Sequence, residues 1–222
     1  MSQPVGRVPQ RRNARSNRAR ILATARQELG RNPDITLEEL ARASGVVRRT
    51  LFGHFPGRAA LLEALAEEAA ETLQAAVARG AEPAEPAEPA DRALARFSLS
   101  MWPVGDRYRM LLALAHRDLG AERVAEVLRP ARVRATAVVE RGQRDGVFHP
   151  HLPPAVLGAA LEGMTIALLE EVNSGTFEDD GTRTAVATLI AAGVPEKQAR
   201  TVVGEIAAEI AAGAGPEGPV GA

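Results

Sequence analysis

The sequence predicts an all-α protein, and three observations predict it. Aromatic residues are only 3% of the chain and cysteine is absent. A core built from Ala, Leu, Val and Ile suits helices better than a β-sandwich, which wants more Val, Ile, Tyr and Phe. Apolar residues recur at helical spacing in one segment after another, and no alternating strand pattern of any length survives. Gly, Pro, Asn and Asp fall between those segments, where turns are needed.

The elements follow in order. Residues 1–15 lack apolar periodicity and are expected to form a flexible basic arm carrying Arg7, Arg11, Arg12 and Arg15. From Ser16 a first helix places Ile21, Leu22, Ala25 and Leu29 on one stripe and stops near Gly30. Asn32-Pro33-Asp34 is turn chemistry. Thr36-Leu37-Glu38-Glu39 fits a capping box, with Ile35 and Leu40 as its hydrophobic staple. That second helix halts at Ser44-Gly45, where glycine suits a positive φ. A third short helix is expected at Val47–Gly53. The fourth, Ala59–Ala78, turns Leu61, Leu62, Leu65, Ala69, Leu73 and Ala76 inward and Glu67, Glu68 and Glu71 outward.

Glu-Pro-Ala then occurs three times at 82–90, a proline spacing that favours an extended polyproline linker. Further helices are expected at Ala90–Met101, Asp106–Leu119, Ala121–Arg144, Pro154–Asn173, Thr182–Ala192 and Pro195–Ala211. A break is expected at Trp102-Pro103, and a Gly/Pro-rich disordered tail at 212–222. The domain reading is an arm at 1–15, a head of three short helices at 16–57 and a helical body at 58–211.

Charge sharpens that division. Residues 1–60 hold 12 arginines against 4 acids, a balance of +8, whereas 61–222 hold 15 basic and 24 acidic residues, a balance of −9. A basic head on an acidic body suggests that the head meets a polyanion and the body does not. The lack of cysteine excludes a disulfide framework, a thiolate zinc site and a cysteine nucleophile. No apolar run reaches the roughly 18 residues of a membrane span, and no signal peptide opens the chain, so a cytoplasmic protein with no membrane partner is expected.

Helix, short helix, glycine turn and short helix describe a helix-turn-helix unit. The run from Ile35 through Ala41, Gly45-Val46 and Thr50-Leu51-Phe52-Gly53-His54-Phe55, followed by Arg58-Ala59-Ala60-Leu61-Leu62, resembles the TetR family of bacterial transcriptional regulators over about residues 16–65. The resemblance implies that the third helix enters the major groove, with Val47, Arg48, Arg49, Thr50, Phe52, Gly53 and His54 as DNA-binding positions. Arginine forks to guanine O6 and N7, so Arg48 and Arg49 are the base or phosphate readers. The alternative for the pair is a solvated arginine face. Thr36 and Arg58 are expected at phosphate. Thr36 serves equally as a cap, and His54 as a packing partner of Phe55. Two positions depart from the family pattern. Phe52 stands where a tyrosine is usual and lacks the hydroxyl for one phosphate bond. Val47 stands where serine or threonine often caps the helix, and its methyls suit a thymine methyl instead.

The resemblance also implies a small-molecule effector pocket in the body. Phe97, Met101, Trp102, Tyr108, Met110, His116, Phe148 and Met164 are its candidate walls and polar tips. Each is equally an ordinary core or surface residue on the sequence alone. The helices at 154–173 and 182–192 carry many small residues. Their composition fits an intramolecular core and a close-packed interface alike, and the resemblance selects the homodimer interface.

His149 and His151, two apart around Pro150, should point to opposite sides of an extended loop and hold no metal. No phosphate loop or nucleophile elbow occurs, so neither catalysis nor a cofactor is expected. The expected function is a homodimeric one-component repressor that binds palindromic double-stranded operator DNA and is released by an effector. Two other classes compete with it: a helical enzyme or carrier that kept the fold, and a sequence-neutral DNA-packaging protein. The first lacks a catalytic constellation, and the second fits the acidic body poorly.

Overall fold

The structure, a computed structural model, describes residues 7–81 and 88–213, apart from the side chains of Arg7–Arg12, Gly80, Ala81, Ala113, Ala115 and His116. The described residues form helices and turns only. The helices are α1 (Arg7–Arg31), α2 (Leu37–Ala43), α3 (Arg48–His54), α4 (Arg58–Ala81), α5 (Ala90–Asp118), α6 (Ala121–Arg144), α7 (Pro154–Ser174), α8 (Thr182–Ala191) and α9 (Glu196–Gly213).

Two expectations about elements are corrected. The first helix starts at Arg7 and not at Ser16. Pro9 lies in the first turn, where the amide has no intrahelical partner to lose, and Arg and Gln are good helix formers. Trp102-Pro103 does not break the chain, because α5 runs through Pro103. Proline forfeits one helical hydrogen bond there, but the residues on either side, Trp102 and Val104, are both buried. Burial of both side chains offsets the missing bond.

The chain divides into two compact units. One holds the described residues up to Ala70 together with Met110–Val127. The other holds Glu71–Arg109 and the described residues from Leu128. The first unit reaches beyond residues 16–57. It takes in the start of α4, where Leu61, Leu62 and Leu65 are fully buried, and the α5–α6 corner.

In the first unit α1 packs on α2 and α3, and α2 on α3. Ile21, Leu22, Ala25 and Leu29 of α1, Leu40 and Ala41 of α2, and Leu51 and Phe55 are all buried. Thr36 caps α2 as expected. Its hydroxyl accepts from the Glu39 amide at 3.2 Å, and its own amide donates to the Glu39 carboxylate at 2.9 Å. Gly45 adopts φ +64°, donates to Arg42 O at 3.1 Å and lets Val46 donate to Ala41 O at 3.0 Å. This paired closure of orphan carbonyls ends α2, and four residues turn the chain into α3.

In the second unit the start of α5, the C-terminal part of α6, and α7, α8 and α9 share one core. It includes Leu94, Ala95, Val139, Phe148, Leu157, Leu161, Leu189, Val203 and Ile206. Residues 82–87 of the expected Glu-Pro-Ala linker, 1–6 of the arm and 214–222 of the tail lie outside the described residues.

Candidate nucleic-acid interface

α3 is anchored by one side and bare on the other. Leu51 is fully buried, whereas Arg48, Arg49 and Gly53 are exposed and Thr50, Phe52 and His54 half-buried. Val47, the N-cap residue, is 70% exposed and makes no side-chain cap, so its methyls stand in solvent at the mouth of the helix. Its carbonyl still accepts from Thr50 and Leu51, which starts the helix without a polar cap. A seven-residue helix with two bare arginines in its first turn presents its N-terminal end, the end that faces base edges in the major groove.

The two arginines differ. The Arg48 Nη2 atom lies 2.8 Å from Glu38 Oε1, and its guanidinium sits 5.1 Å from the centre of the Phe52 ring. Both groups hold it against the α2–α3 surface. Arg49 is exposed and forms no ion pair among the described residues. Its guanidinium is left in solvent at the first turn of α3. Phe52, lacking the usual hydroxyl, supports Arg48 through its ring face instead. The ring of His54 tilts against Phe55, 6.2 Å between centroids.

Two expected phosphate contacts are engaged inside the protein. The Thr36 hydroxyl donates to Glu39 Oε2 at 2.7 Å, so its one proton is already placed. Both hydrogen bonds from Thr36, the amide's first, hold the Glu39 carboxyl below its usual range. Arg58 donates to Pro33 O at 2.6 Å and to Ile35 O at 3.3 Å, and reaches Asp118 at 3.5 Å. It braces the α1–α2 turn against the end of α5 rather than standing free for DNA. Arg117 completes this cluster, donating to Asp118 at 2.9 Å with Asp34 3.6 Å away. The Arg117 hydrogen bond is the main cause that lowers the Asp118 carboxyl. Sequence reasoning missed this cluster because Arg58 and Asp118 are 60 residues apart with no motif joining them.

The candidate effector residues fall in both units. Phe97, Met101, Trp102 and Tyr108 lie along α5 in the second unit, whereas Met110 belongs to the first. Trp102 is buried against Gly181, where a Cβ would sit 2.6 Å from its ring. The Tyr108 hydroxyl lies 3.2 Å from that of Thr72. Met164 is half-buried against the core. Phe148 is a core residue packed on Gly142, where a Cβ would fall 2.1 Å from the ring. The His116 side chain lies outside the described ones. His149 and His151 do not diverge as expected. The chain bends after Pro150, and the two rings stack 5.1 Å apart while His149 Nε2 lies 3.0 Å from Ala191 O.

α7 and α8 are apolar on two sides. Leu157, Leu161 and Leu169 of α7 and Ala185 and Leu189 of α8 face the shared core. Val156 at 49% and Ile190 at 43% stand exposed, as do Ala159, Ala160, Gly163 and Ala167 along the outer line of α7. No helix among the described residues is long and apolar enough to cross a membrane.

Residues 21–65 match the family described as "Bacterial regulatory proteins, tetR family", within the span over which the sequence resembles it. No curated protein matches the chain. Among solved structures, a tetR-family regulatory protein from Rhodococcus RHA1 is similar at 20% identity and TM-score 0.66, covering 81% of this chain and 98% of that one. The MbdR regulator of Azoarcus sp. CIB is similar at 18% identity and TM-score 0.66, with the same shares covered. RolR in complex with resorcinol is similar at 19% identity and TM-score 0.55, covering 86% of this chain and 95% of that one. The chain has the all-α fold of these regulators, with a helix-turn-helix DNA-binding domain at its head.

Proposed function

We propose, from a TetR-type reading head on an all-α chain of that fold, that the protein is a one-component transcriptional repressor. It binds a palindromic operator as a homodimer and leaves it when a small molecule binds the helical body. The observation that carries the DNA-binding part is α3: a short helix buried at Leu51, with Val47, Arg48 and Arg49 exposed at its N-terminal end. In this reading Arg49 reads a base edge, Val47 meets a thymine methyl, and Arg48, steadied by Glu38 and Phe52, contacts a base or an adjacent phosphate.

The second copy docks on the outer line of α7 and on Ile190 of α8. A helix whose second face is also apolar and small-sided supports close packing against a twin. The effector enters the second unit near the half-buried Phe97 and Met101 and the polar tips of Trp102 and Tyr108. RolR's complex with resorcinol supports a small-molecule ligand for a protein of this fold. Release requires only that the ligand bind the geometry that does not fit DNA more tightly than the one that does.

The test is competition at moderate salt. Full-length protein is bound to a labelled promoter-region duplex and challenged with excess bulk genomic DNA. Sequence-specific binding survives the challenge. Equal displacement of all duplexes contradicts the reading and favours a sequence-neutral packaging role.

A further inference from the structure

Two buried polar atoms of the second unit lack a hydrogen-bond partner and are complementary in kind. Arg109 Nε on α5 has a proton to donate, and Asn173 Oδ1 at the end of α7 can only accept. The two helices bring them to one region. Leu94 and Ala95 at the start of α5 share a core with Leu157 and Leu161 at the start of α7. Further along, the helices meet at Gly105, where a Cβ would lie 3.0 Å from the Leu169 side chain. They therefore run alongside each other in the same direction. Arg109 and Asn173 stand four residues beyond Gly105 and Leu169, one turn on along each facing line. Neither atom bonds to the other.

The charge there is already matched. Arg109 Nη1 donates to the Asp106 carboxylate and, at 3.2 Å, to the Asp106 carbonyl. The same two lines are apolar further back, where Trp102 and Leu169 are buried.

We infer that Arg109 and Asn173 form the polar end of the effector site and select an uncharged ligand bearing a hydroxyl group on an apolar frame. This rests on the effector response proposed above and names the chemistry of that ligand. A hydroxyl both accepts and donates, so one group satisfies Arg109 Nε and Asn173 Oδ1 together. A carboxylate only accepts and leaves Asn173 unmet, whereas an ammonium only donates and leaves Arg109 unmet. Asp106 removes the call for an anion. A buried polar atom left unmet by a ligand weakens binding, which turns the pair into a selector. Water has the same double capacity, so a ligand hydroxyl takes its place with both hydrogen bonds kept.

The test titrates the full chain with four probes of similar frame, phenol, toluene, benzoate and benzylamine, by ligand-observed NMR at millimolar concentration. Phenol should bind tighter than toluene by about 4- to 100-fold, the product of two hydrogen bonds at about 2- to 12-fold each, and tighter than either ion. Two variants each remove one partner. Asn173→Leu keeps the shape without the acceptor, and Arg109→Lys keeps the charge beside Asp106 without Nε–H. Each should weaken phenol about 2- to 12-fold and leave toluene unchanged. Equal binding of phenol and toluene, a preference for benzoate or benzylamine, no binding of any probe, or variants that shift phenol and toluene alike overturns the inference. Should a variant fail to fold, the order of the four probes on the wild type decides. Release of a duplex selected from a random library separates the two readings. Phenol bound in the expected order without release keeps the hydroxyl site and refutes the effector response. Release by benzoate that neither variant alters keeps the effector response and overturns the hydroxyl site.

Discussion

Replacing Arg58 with alanine separates a brace from a DNA contact. In the structure the guanidinium donates to Pro33 O at 2.6 Å and Ile35 O at 3.3 Å, with Asp118 at 3.5 Å. A partly buried hydrogen bond from a charged group contributes about 1.5–3 kcal/mol. The longer bond belongs at the low end, and the half-exposed ion pair adds about 0–1 kcal/mol. Removing the side chain should therefore destabilise the head by about 2–4 kcal/mol, or about 30- to 700-fold in the opening equilibrium of its helices. Hydrogen exchange is the suitable assay, because Trp102, the sole tryptophan, lies in the other unit and does not report on the head. Amides of α2 and α3, Leu40 and Leu51 among them, should lose that protection, while α7–α9 amides keep theirs. If protection is unchanged and the variant only lowers the salt slope of DNA binding by about one, Arg58 faces phosphate and the bracing role is wrong.

Other consequences are equally open to measurement. Arg49→Ala should relax preference at one base pair by about 1–3 kcal/mol, read by binding to a panel of single-base variants of the selected duplex. A uniform weakening across that panel would make Arg49 a phosphate contact. Asp118 has a folded carboxyl below its unfolded range, so its stabilising effect is full above the unfolded value and fades as pH falls through the folded one. The gap in urea midpoint between wild type and Asp118→Asn should thus narrow from pH 6 to pH 3, and a constant gap would refute the pairing with Arg117 and Arg58. Gly181 has φ +100°, and a Cβ there meets Trp102 at 2.6 Å. Gly181→Ala should cost about 2–5 kcal/mol, combining left-handed strain with overpacking, and should shift the Trp102 fluorescence of the folded protein.

Much of the helical order was legible in the sequence because it depends on local chemistry. Thr36 and Glu39 announce the start of α2, and Gly45 its end, through contacts no more than a few residues long. The α6 bounds match at both ends for the same reason: Gly120 and Gly146 both adopt positive φ just outside them. The errors came where local signals compete with the surroundings. Pro9 and Pro103 are breakers by residue type, but one lies in a first turn and the other between buried neighbours. The site was legible as a set of positions and not as a division of labour. Sequence could name Arg48, Arg49 and Arg58 together. Only the fold shows that one is steadied by Glu38, one is free and one holds the Pro33–Ile35 carbonyls. Likewise Phe148 has the type of a pocket wall, and its use as core depends on the absence of a Cβ at Gly142.

The central claim is that two copies of α3 read one symmetric DNA site. Selection of bound duplexes from a random library by the full chain, followed by the mass of the complex on the recovered sequence, tests it most directly. The account predicts a palindrome whose half-site centres lie about one helical turn, roughly 34–36 Å, apart, carrying one homodimer. It also predicts that Arg49→Ala blurs the same base pair in both halves. Recovery of a single asymmetric site bound by one chain, or of no enriched sequence at all, would contradict it.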